Sequence, residues 1–90
     1  MRLDQFLRAS RLVLRRTVAQ ELCEAGAALV NGAPARSSRA VRVGDEITLG
    51  RRERLLTARV LAVPTARQTS RTEAATLYEV VRDERRMENE

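Results

Sequence analysis

Between Arg11 and Val30 the chain changes its period, and this change limits the fold more than any other feature of the sequence. Thr17, followed three residues later by Gln20, reads as a capping box, so a helix is predicted to start there. Val18, Leu22 and Ala25 recur at i, i+4 and i+7, which is one face of that helix. Gly26 stands where a left-handed C-terminal cap costs least. Beyond it the pattern becomes that of a strand, Ala28-Leu29-Val30. Asn31-Gly32 then gives a strong hairpin signal, because both central residues of a type I′ turn need positive φ.

The flanking segments extend the same alternation. Leu3, Phe6 and Leu7 repeat at helical spacing with Asp4 in the N-cap position, predicting a first helix from Asp4 to Ser10. Leu12 to Leu14 is a short apolar link into the second helix. Pro34 to Ala40 reads as a polar, arginine-bearing loop, and Val41 and Val43 lead to a turn at Gly44-Asp45. Short strands are predicted over Glu46–Leu49 and Leu55–Val63, with a charged bend at 51–54 and a stop at Pro64. Residues 65–71 read as a loop. Thr72 opens a predicted final helix that turns Leu77, Val80 and Val81 inward, and the closing RDERRMENE is expected to fray. Ninety residues suffice for one modest core, so the expectation is a single α+β domain over 1–90. Two N-terminal helices would pack on a small antiparallel sheet, with a helix at the C-terminus.

Charge narrows the function. All seventeen cationic residues are arginine. Residues 1–42 hold eight arginines against three acids, whereas residues 43–90 hold nine against nine, so the whole +5 excess lies in the first half. Such asymmetry points to a polyanion-binding face. No apolar run approaches the roughly 20 residues that span a bilayer, and the charged N-terminus has no signal-peptide core. Cys23 has no partner for an internal disulfide and reads as a small buried side chain. These features fit a cytoplasmic protein. The sequence holds no histidine, no second cysteine for a metal cluster, and no phosphate-binding loop or dinucleotide fingerprint. Its serines have no histidine to activate them. The expectation is a binding protein without catalysis or cofactor.

Arg15 and Arg16 lie just ahead of the second helix, where free N–H groups and the helix dipole favour phosphate. Arg2, Arg8, Arg11, Arg15 and Arg16 have only Asp4 to offset them, and with Arg36 and Arg39 they could share one face. Arg51, Arg52 and Arg54 alternate with Glu53 and read as solvated side chains. Phe6 and Tyr78 are the only rings, and Phe6 belongs to an apolar face. With no spare aromatic platform for bases, the expected ligand is structured RNA, read by backbone shape and charge.

RLDQFL at the start, RRT opening the second helix, and LVNG followed by SSRAVRVGDEI resemble the RNA-binding domain of ribosomal protein S-four type, the alpha-L motif. That resemblance covers residues 2–49 and implies an alpha-L core over 1–63, with 64–90 as loop, C-terminal helix and tail. EAATLYEVV extends it to the free-standing RqcP-like ribosome-quality-control family. The resemblance implies a partner set of large-subunit rRNA, peptidyl-tRNA in the P site, and RqcH, which directs alanine tailing of stalled chains. It implies a monomer that performs no bond chemistry. Carried onto this sequence, the contacts would fall on Arg2 and Arg16, then Arg11, Arg15 and Arg36, with a hydroxyl from Thr17. Gln5 stands where the family usually has lysine, Val43 where proline is common, and Ala40 where an acid is usual; Arg39 would make up for the charge missing at Gln5.

Two other readings stand beside this one. A heat-shock ribosome-binding relative shares the alpha-L motif and rescues free large subunits carrying tRNA, but it typically ends in a longer basic tail. A small DNA-binding architectural protein would need a recognition helix rich in Asn, Gln or Arg. The second helix here presents Gln20, Glu21 and Glu24, and carboxylates repel a phosphate backbone.

Overall fold

A computed structural model describes residues 1–65 and 69–85. Its elements run α1 (Leu3–Ala9), α2 (Arg16–Glu24), β1 (Ala28–Val30), β2 (Ala33–Pro34), β3 (Glu46–Arg51), β4 (Arg54–Val60), α3 (Arg71–Ala75) and β5 (Tyr78–Arg85). The strands form one antiparallel sheet in the order β2-β1-β3-β4-β5. The α+β class is as expected. Among the described residues, no helix is long and apolar enough to cross a membrane.

The turn at the hairpin follows the sequence closely. Asn31 and Gly32 take φ of 53° and 86°, both left-handed, and pair β1 with β2 in the register Val30↔Ala33. Gly26, at φ 74°, ends α2 in a Schellman arrangement: its N–H donates to the Cys23 carbonyl, and the Ala27 N–H to that of Leu22. In β3, period-two alternation sends Ile47 and Leu49 to one face, where they join Ala28 and Val30 of β1 in the core with Leu3, Phe6, Leu7, Val13 and Ala19.

Helix starts differ from expectation. The first helix begins at Leu3, with Arg2 as N-cap and the Gln5 Oε1 accepting the Arg2 N–H at 3.2 Å. Asp4 is therefore inside the helix and fully buried. The second helix begins at Arg16, with Arg15 as N-cap, so Thr17 lies inside it and no Thr17–Gln20 box forms; the Gln20 side chain donates to Asp4. The buried positions of α2 are Ala19 and Cys23; Val18 and Leu22 pack beside them and Ala25 is exposed. The inward face is thus turned by one residue from the predicted one.

The largest departure lies at the C-terminus. The predicted final helix is only α3, capped by the Ser70 Oγ, which accepts the Glu73 N–H at 3.0 Å. It stops after Ala75, and Tyr78–Arg85 is a strand paired along β4 from Val60↔Tyr78 to Arg54↔Arg85. Leu77 is buried as predicted, but Val80 and Val81 are 50% and 40% exposed. Tyr78, Val80 and Val81 favour a pleated surface, and β4 without them would leave a seven-residue edge of unpaired backbone groups. β4 itself ends at Val60 rather than Val63. Of the segment expected to fray, Arg82–Arg85 belongs to β5, and residues 86–90 lie outside the described residues, as do 66–68 of the predicted loop.

Candidate nucleic-acid interface

The first turn of α1 builds the centre of the site. Asp4 is completely buried, yet its carboxylate collects three donors. Arg2 donates from Nε to Oδ1 and from Nη2 to Oδ2, each at 3.2 Å. Arg16 donates from Nε to Oδ2 at 3.3 Å, and Gln20 from Nε2 at 3.2 Å. Burial pushes the Asp4 pKa up, but the hydrogen bonds from Gln20 and Arg2 and the charges of Arg2 and Arg16 outweigh it and hold the carboxyl below its ordinary range. The two arginines keep 43% and 45% of their side-chain surface exposed. Each therefore has one edge anchored and further N–H donors toward solvent, the geometry in which a guanidinium can grip phosphate.

Next to this pair lies the open end of α2. Its first intrahelical bond runs from the Ala19 N–H to the Arg15 carbonyl at 3.0 Å. The N–H groups of Arg16, Thr17 and Val18 have no acceptor among the described residues, as expected of a helix start without a side-chain cap. Thr17 is exposed in this first turn, and Arg15 precedes it. The polar loop comes to the same region through its backbone: the Leu3 N–H donates to the Arg39 carbonyl at 2.8 Å and the Asp4 N–H to the Ser37 carbonyl at 3.1 Å. Arg36 and Arg39 are exposed on that loop. Arg2, Arg16, the α2 terminus and the 36–39 loop thus lie together around Asp4.

Arg11 and Arg15 belong to a neighbouring recess. Arg11 has φ 60°, a left-handed conformation that costs an ordinary residue about 1–2 kcal/mol. It closes α1, with its N–H on the Arg8 carbonyl, and its side chain reaches the Thr69 carbonyl at 3.1 Å. The recess is lined by Arg11, Leu12, Leu14, Arg15, Val18 and Arg51. Leu14 and Arg51 were not expected there. Arg51 follows Ile47 and Leu49 on the core-facing side of β3, so the alternation of the strand carries it past the end of the core toward the α1–α2 link. Its charge pattern alone, beside Glu53, hides this placement.

Along the β3-β4-β5 ladder three arginines pair with acids. Arg54 pairs with Asp83 at 2.8 Å and holds its carboxyl below the ordinary range. Arg59 bridges Glu46 and Glu79, and Arg82 meets Glu84. These four ion pairs engage much of the acid of the second half, whereas around α1 and α2 Asp4 alone is ion-paired, to Arg2 and Arg16, among the described residues.

Comparison with known proteins gives the family. Residues 1–47 match the S4 domain. The chain is 45% identical over 85 residues to an RQC P-site tRNA stabilizing factor of Halalkalibacterium halodurans, covering 93% of each protein. It is 39% identical to the factor of the same name from Bacillus subtilis, covering 94% of this chain and 96% of that one. A trimeric structure of heat shock protein 15 from Vibrio cholerae superposes with a TM-score of 0.81 at 31% identity, over 90% of this chain and 81% of that one. A domain match over the helices that hold Arg2 and Arg16, joined to relatives aligned along almost the full length, makes this chain a member of the S4-domain family and, within it, of the RQC P-site tRNA stabilizing factors.

Proposed function

We propose that the protein is a non-catalytic RNA-binding factor of the cytoplasm. In this reading it binds the large ribosomal subunit through rRNA and steadies the peptidyl-tRNA left in the P site of a stalled, split ribosome. With RqcH as partner, it supports alanine tailing of the stalled chain. The observation that carries this reading is the pair Arg2 and Arg16, held half-exposed on one buried carboxylate beside the open N-terminus of α2. The names of the relatives supply the ribosomal setting. Residues 1–63 would make the RNA contacts through Arg2, Arg11, Arg15, Arg16, Thr17, Arg36 and Arg39. The C-terminal residues would complete the same single domain, acting as a monomer.

Phosphate contacts account for affinity here, because the chain presents arginines and N–H groups but no exposed aromatic platform. Holding tRNA requires position rather than chemistry, and a rigid cluster of guanidinium groups supplies position. The test is recovery of the tagged protein from lysate of stressed cells. Large subunits carrying peptidyl-tRNA should come with it, and RqcH should be present on the same particles. Competition at matched salt separates the DNA reading: large-subunit rRNA should displace the protein from duplex DNA, and tighter binding to DNA would end the proposal.

A further inference from the structure

The recess between α1 and α2 carries a feature that phosphate binding does not use. Leu12, Leu14 and Val18 form an apolar floor, and Leu14, at 75%, is the most exposed large hydrophobic side chain among the described residues. Arg11, Arg15 and Arg51 ring that floor, and none has a carboxylate partner among the described residues. Arg51 comes from a strand otherwise unrelated to the cluster of α1 and α2. Three cations at one apolar recess repel one another, at about 1 kcal/mol per close pair in water and more near a protein surface. Arg54, Arg59 and Arg82 of the same sheet avoid this by pairing with acids. Arg11 in addition holds a backbone conformation that glycine would adopt without strain.

We infer that this recess receives one unpaired nucleotide of RNA, its base or ribose against Leu14 and its flanking phosphates on Arg11, Arg15 and Arg51. The inference rests on the RNA-binding reading above and adds to it a contact with a base. A duplex buries its base faces in the stack and presents phosphates, sugars and polar base edges, so it would leave the apolar floor wet. A loop or bulge nucleotide turned out of its stack presents both an apolar face and a charged backbone. Guanidinium planes can stack on that face where aromatic rings are lacking. The charge complementarity, and the direct continuation from Arg15 into the Arg16 phosphate site, favour RNA over an acidic protein segment.

The test uses the full chain and three probes: an RNA hairpin with a seven-nucleotide mixed-sequence loop, a blunt duplex of equal length, and a poly-glutamate peptide. The wild type should bind the hairpin more tightly than the duplex. Leu14→Ser should weaken hairpin binding about three- to ten-fold, leave duplex binding and melting temperature unchanged, and so abolish the preference. Arg51→Ala should weaken both RNAs and lower the salt slope by about 0.7–0.9. The inference is overturned if the wild type shows no preference for the hairpin, if Leu14→Ser retains that preference, or if poly-glutamate displaces the hairpin from wild type but not from Leu14→Ser. Large-subunit binding by wild type, Arg16→Ala and Leu14→Ser, measured alongside, separates the two readings. Subunit binding that needs Arg16 but ignores Leu14 sinks only the recess; a hairpin preference without subunit binding sinks only the ribosomal role.

Discussion

The Arg16 Nε donates to the buried Oδ2 of Asp4 across 3.3 Å, tying the first turn of α2 to the first turn of α1. The same carboxylate holds Arg2 and Gln20, so one side chain sets the spacing of two cations that come from different helices. Asp4 is thus both a joint of the fold and a positioning residue of the candidate interface.

Asp4→Asn is the sharpest check on that dual role. The substitution keeps the shape, removes one negative charge, and should lower stability by about 2 kcal/mol through weakened charge-assisted hydrogen bonds. It should also weaken binding to large subunits even though it makes the protein more cationic. Urea denaturation and co-sedimentation read the two effects. Stronger binding by the variant would show that Asp4 merely offsets charge.

Arg16→Ala should reduce large-subunit affinity and lower the salt slope by about 0.7–0.9, the value for one phosphate contact. It should also cost about 1 kcal/mol of folding free energy. The cost is modest because the guanidinium is 45% exposed and screened, and because Arg2 and Gln20 stay on the carboxylate. Thermal melting beside a salt titration of binding checks both effects.

Arg11→Gly should separate stability from binding. Glycine relieves the φ 60° strain, worth about 1–2 kcal/mol, but adds freedom to the unfolded chain worth roughly 0.5–1 kcal/mol. Net stability should hold or rise by about 1 kcal/mol while RNA affinity falls. A destabilised variant would show that the reach of Arg11 to the Thr69 carbonyl matters more than its backbone.

Acid should loosen the joint. Burial raises the Asp4 pKa, the Gln20, Arg2 and Arg16 interactions lower it by more, and the net folded value is below the ordinary 3.8. A depressed folded pKa contributes stability that is present above the unfolded value and lost as pH falls through the folded one. The melting temperature should therefore hold down to about pH 5 and fall below about pH 4. Asp4→Asn, lacking that proton, should show a shallower acid limb.

Hydrogen exchange discriminates the strand at the C-terminus from the helix that the sequence suggested. Along Tyr78–Arg85, an outer strand paired only with β4 should alternate between protected and fast-exchanging amides. Uniform protection through the segment would instead mark a helix.

Short-range features were legible in the sequence because each is decided by neighbours a few residues away. Asn31-Gly32 had to be left-handed, Gly26 had to end α2, and the apolar repeat of Leu3, Phe6 and Leu7 had to be buried. The charge asymmetry likewise located the arginine-rich half, and RLDQFL with RRT placed it in its family. What the chain order could not display was decided across the fold. Gln20 matched a capping box, yet α2 starts at Arg16, ahead of Thr17, and the Gln20 amide donates to a buried carboxylate sixteen residues away. Tyr78–Val81 matched the end of a helix and Arg82–Arg85 a frayed tail, yet the open edge of β4 offered both a ladder of backbone partners. Arg51 matched a solvated bend, yet the register of β3 aimed it at Leu12 and Leu14. Local propensities differ by about 1 kcal/mol per residue at most. A satisfied buried charge or a completed strand edge outweighs that, and both exist only once distant segments have met.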